Sequence, residues 1–71
     1  MATRIEAHIA GTVWKIEVKV GDPVDTGQVV VILESMKMEM PVEAPQAGTV
    51  SAVLVEEGQA VEEGQVVVEL A

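Results

Sequence analysis

This chain is written twice, and no other feature limits its possible folds so strongly. Ala7 to Leu33 align without a gap on Ala44 to Leu70 at an offset of 37 residues, and 14 of the 27 positions are identical. Ala10-Gly11-Thr12-Val13 returns as Ala47-Gly48-Thr49-Val50, and Gly27-Gln28-Val29-Val30-Val31 as Gly64-Gln65-Val66-Val67-Val68. A unit this small cannot bury its apolar face alone, so the copies are expected to pack on each other about a pseudo-two-fold axis. Lys37 falls between them: moved by 37 positions in either direction, it leaves the chain. It should therefore mark one end of the axis, with the two termini together at the other.

The copies are β units. Fifteen Val and four Ile form a β-branched excess that favours strands, and no segment has a convincing helical period. Ile5, Ala7 and Ile9 alternate with Arg4, Glu6 and His8, and Ile16, Val18 and Val20 with Glu17 and Lys19, as half-buried strands require. Gly11, Gly21-Asp22-Pro23, Thr26-Gly27, Pro41, Pro45, Gly48, Glu57-Gly58 and Glu63-Gly64 are read as breakers that cut the chain into short strands. The expectation is an all-β fold with an internal pseudo-two-fold repeat. The runs Val29–Leu33 and Val66–Val68 are continuous rather than alternating, so they are either buried on both faces or carry an apolar outer face.

Composition narrows the function. With 71 residues and no stretch that reads as a linker, residues 1–71 are expected to form one freestanding domain. The absence of Cys removes disulfides and thiolate metal sites and favours the cytoplasm. No apolar run approaches the ~20 residues of a membrane span, so no membrane insertion is expected. Twelve acidic and four basic residues give a net charge of −8, which repels nucleic-acid phosphates and suits a monomer that docks transiently on basic patches of larger proteins; solubility alone would explain the charge equally well. His8, Ser35 and Ser51 make no credible nucleophile and base set, and no metal is expected at Asp22 and Asp25, whose spacing lacks a calcium loop's ligand series. Trp14 is read as a half-exposed strand residue covering an apolar edge.

Between Leu33 and Met40-Pro41-Val42 the chain must reverse, and the natural reading is a hairpin with Met36 and Lys37 at or beside its tip. Met-Lys is a poor hairpin turn, because turns that match strand twist favour Asn or Gly where φ is positive. A locally unfavourable turn points to a functional demand. There it would hold a lysine out where another protein's active site can close over it. Met36 and Met38 are read as recognition contacts and Met40 as core.

Glu34-Ser35-Met36-Lys37-Met38 resembles the Glu-Ala/Ser-Met-Lys-Met signature of biotinyl (biotin carboxyl carrier) domains, the biotin-accepting branch of the biotinyl/lipoyl attachment family. The flanking repeats are also similar to that family, and the likeness runs from about Ile5 to Leu70. The resemblance implies a flattened β-barrel (barrel-sandwich hybrid) of two four-stranded antiparallel sheets, with Lys37 as the acceptor on an exposed hairpin. It also implies that the chain is a carrier and not an enzyme. A biotin protein ligase would join biotin to the ε-amine of Lys37, changing the net charge from −8 to −9, with Glu34, Ser35, Met36, Met38 and Glu39 as recognition residues. The tethered biotin would then carry CO₂ between biotin carboxylase and carboxyltransferase, or decarboxylase, sites. The ungapped repeat leaves no room for the thumb that some acetyl-CoA carboxylase carriers insert in the first half. The alternatives are a lipoyl carrier, or one accepting both groups, and an unmodified structural or interaction module whose lysine is incidental.

Overall fold

The computed structural model describes residues 3–71. Every regular element in that span is a strand: β1 (Thr3–Glu6), β2 (Gly11–Ile16), β3 (Pro23–Val24), β4 (Val29–Ser35), β5 (Met38–Glu43), β6 (Gly48–Val53), β7 (Ala60–Val61) and β8 (Val66–Leu70). They form two four-stranded antiparallel sheets, in the orders β1-β8-β6-β3 and β5-β4-β2-β7. Shifting the second order back or forward by one repeat produces the first. The pairing register repeats as well: Met40 faces Leu33 as Thr3 faces Leu70, and Val42 faces Val31 as Ile5 faces Val68. The β8–β1 pair is thus the open-ended counterpart of the β4–β5 hairpin, which sets the terminal strands side by side at the pole opposite Lys37. Among the described residues no helix is long and apolar enough to cross a membrane.

The copies interlock. The short strand of each pairs in the sheet of the other, β3 on β6 and β7 on β2. Backbone bonds in matched pairs extend these contacts: Gly21 N–H donates to the Val50 carbonyl at 2.8 Å, and Gly58 N–H to the Val13 carbonyl at 2.7 Å. Sixteen apolar residues are buried, and they fall into eight pairs 37 positions apart: Ile5/Val42, Ala7/Ala44, Val13/Val50, Val18/Val55, Val24/Val61, Val30/Val67, Val31/Val68 and Leu33/Leu70. One core therefore joins both copies, as the doubled pattern requires. Gly27 and Gly64, at φ +84° and +87°, make the turns into β4 and β8. Each turn is clamped by a glutamine whose Oε1 accepts the N–H of the residue three positions earlier, Asp25 at 3.0 Å and Glu62 at 3.1 Å.

Several local expectations are corrected. Of the two alternatives for the valine runs, the run in β4 has the apolar outer face, at Val29 and Ile32, but without strict alternation. The register slips between Val29 and Val31, so Val30 and Val31 both face the core while Val29 and Ile32 stay half-buried. β2 stops at Ile16; in the loop beyond it Val18 is buried, but Val20 is 64% exposed. Gly11 and Gly48 open strands β2 and β6 instead of breaking the chain. Pro41 sits inside β5, tolerated because β5 is a sheet edge where one face of the backbone needs no ladder donor.

Candidate functional site

The β4–β5 pairing ends at Ser35 and Met38, which leaves a two-residue loop of Met36 and Lys37 at φ +53° and +65°. Positive φ at both central positions is the type I′ turn, whose twist matches that of the strands it joins. These are the two non-glycine residues at positive φ among those described. Each costs about 1–2 kcal/mol because Cβ crowds the following carbonyl. Packing does not repay that cost at the tip. Lys37 is exposed, and Met36 is 85% and Met38 57% exposed. Met40 is half-buried and packs on the core.

The base of the hairpin is held from the side by β2. A Cβ added at Gly11 would lie 2.6 Å from the Glu34 carbonyl oxygen and 3.4 Å from Ser35 Cβ. Only a glycine lets β2 run so close to the acceptor strand. Sequence reading placed Gly11 as a breaker and missed this role, which the equivalent Gly48 does not share.

Glu34 and Glu39 face each other directly across the hairpin, and both are exposed. Like charges in that arrangement are destabilising. The ion pairs among the described residues are Arg4–Glu69 at 3.5 Å and Lys15–Glu17 at 3.9 Å, and neither engages Lys37. Ser35 is half-buried at the hairpin base. Elsewhere, Ser51 Oγ donates to the Glu69 carbonyl at 3.1 Å, and His8 is exposed in the β1–β2 connection. Asp22 Oδ2 accepts the Lys19 N–H at 3.0 Å and so serves its turn. Trp14 stands where the β2 register slips between Val13 and Lys15 and is 49% exposed.

Among the described residues, an all-strand fold thus presents the Lys37 amine at an exposed turn whose two central residues are left-handed, the geometry of a carrier domain. Residues 1–70 match the model of the biotin/lipoyl family described as biotin-requiring enzyme, and the chain belongs to that family. It is 53% identical over 38 residues to the biotin/lipoyl attachment protein of Bacillus subtilis, a match covering 54% of this chain and 52% of that protein. It is 63% identical over 35 residues to the methylmalonyl-CoA carboxyltransferase 1.3S subunit of Propionibacterium freudenreichii subsp. shermanii, covering 49% of this chain and 28% of that subunit. Its fold superposes on the urea carboxylase of Kluyveromyces lactis with a TM-score of 0.95 and 37% identity, covering 100% of this chain and 6% of the carboxylase. The matches thus span about half of the Bacillus relative and far less of the two larger proteins.

Proposed function

We propose that residues 1–71 act as a single, monomeric biotin carboxyl carrier domain, that Lys37 is its attachment residue, and that it works in the cytoplasm. The observation that carries this reading is an unpaired, exposed lysine as the second central residue of a type I′ turn, at the pole of a duplicated barrel. A freely exposed amine fits an acyl group of any bulk, since nothing covers it. Forming an amide removes a proton from the Lys37 nitrogen, and a biotin protein ligase would accept it. The freed nitrogen then attacks the acyl carbon of biotinyl-adenylate, forming the amide C–N bond as the bond to the phosphate oxygen breaks and AMP leaves. Glu34, Ser35, Met36, Met38 and Glu39 flank Lys37 along the hairpin and supply the surface that the ligase and the carboxylase components read.

Biotin, once attached, supplies the ureido nitrogen on which CO₂ is carried. The chain contributes presentation. Its rigid hairpin lifts the amine off the barrel, and the tether keeps the group at high effective concentration near successive partner sites. Those partners, biotin carboxylase and carboxyltransferase or decarboxylase components, follow from the relatives' company.

The test is intact mass after reaction with biotin, ATP and a biotin protein ligase. One biotinyl increment on the native chain and none on Lys37→Arg is the expected result. An unmodified native chain, or a modified Lys37→Arg, would refute the assignment. The name of the Bacillus relative favours a second reading, acceptance of lipoyl as well; a parallel reaction with a lipoyl ligase distinguishes the two.

A further inference from the structure

The duplication supplies its own control for the outer surface. On the sheet that carries the hairpin, the first outward-facing pair below Glu34 and Glu39 is Ile32 opposite Pro41. The equivalent pair on the other sheet is Glu69 opposite Arg4, joined by the 3.5 Å ion pair. The two copies agree in the core and differ here: the ion pair of one sheet has an apolar pair as its counterpart on the sheet that carries the acceptor lysine. That apolar pair floors an open hollow of about 460 Å³ lined by Glu17, Gln28, Val29, Ile32, Glu39 and Pro41.

Resting on the assignment of Lys37 as the attachment residue, we propose that this hollow is a docking site for the tethered biotin itself, where the arm folds back between visits to partner sites. The reach takes in the hairpin end of the hollow. At about 3.3 Å per residue along a strand, Glu39 lies about 7 Å and Pro41 about 13 Å from Lys37, whereas Val29, opposite Glu43, lies about 20 Å away. The arm from Lys37 Cα to the biotin ring is about eleven bonds, roughly 13 Å at the ~1.2 Å per bond of an extended chain.

The chemistry is complementary as well. Ile32 and Pro41 offer an apolar surface to the acyl chain and the sulfur-bearing ring. The Glu17 and Glu39 carboxylates can accept the two ureido N–H groups. The open, shallow form suits weak and reversible docking, which a shuttling group requires.

The test uses the full chain, isotope-labelled, biotinylated and verified by intact mass, with Lys37→Gln as a reference that removes the charge without adding the arm. NMR should show NOEs from biotin protons to the Ile32 methyls. Amide shifts relative to Lys37→Gln should extend beyond residues 35–39 to Ile32 and Glu17, and Ile32→Lys should abolish both while the remaining spectrum is preserved. Shifts confined to residues 35–39 with no such NOE overturn the docking site and leave the attachment assignment standing. A chain that gains no biotinyl mass refutes the assignment and the docking site together.

Discussion

The hairpin tip is the place where this fold gives up stability, and the amount can be measured. Replacing Met36-Lys37 with the pair that a type I′ turn prefers, Met36→Asn with Lys37→Gly, removes two left-handed penalties of about 1–2 kcal/mol each. Glycine returns about 0.5–1 kcal/mol of unfolded-state entropy cost, and asparagine retains a fraction of its own penalty. Lost packing is negligible, because Met36 is 85% exposed. The net gain should be about 1–2 kcal/mol. For a chain of this length that raises Tm by roughly 5–15 °C, and it should raise the urea midpoint at unchanged m. The single change Met36→Asn, which keeps Lys37, should yield less than half of that gain and slow loading by the ligase if Met36 is read by it. A Tm that stays level or falls in the double variant would refute the argument that the tip is strained and that this strain is maintained for lysine presentation.

The two copies permit matched tests elsewhere. Gly11→Ala should destabilise by about 1–3 kcal/mol, since the new Cβ would lie 2.6 Å from a backbone oxygen and the strand must move. Gly48→Ala meets nothing nearer than Leu70 Cβ at 3.3 Å, with the Ala71 carbonyl oxygen at 3.7 Å, and should cost less than half as much; equal losses in urea unfolding would remove the role given to Gly11. Glu39→Lys converts the repulsive Glu34–Glu39 pair into an attractive one and should stabilise by about 0.2–1 kcal/mol. That gain should shrink in high salt, and a gain independent of salt would show that the pair does not interact through charge.

What the sequence determined by itself is whatever the doubling determines. Seven of the eight core pairs are identical residues of the aligned span, 37 positions apart, although the equally retained Ala10 and Ala47 are exposed. The all-β class followed from β-branched composition and closely spaced turn residues. The place of Lys37 at one pole followed from its having no counterpart, and the Glu-Ser-Met-Lys-Met motif pointed to the family. These signals are local, or are comparisons of the chain with itself, and need no knowledge of which strand lies beside which.

The rest depends on pairing, which is non-local. Only the tertiary structure shows that β3 and β7 trade sheets, because two residues carry too little pattern to choose a neighbour. A one-residue slip in register reverses the face of every side chain beyond it, so the inward turn of both Val30 and Val31 could not be read from alternation. The demand for glycine at position 11 comes from a carbonyl 23 positions away, and the hollow beneath the hairpin comes from Ile32 meeting Pro41 across two strands. Sequence names the residues that must be buried and the one that must be presented; contact across strands decides which surfaces lie within that lysine's reach.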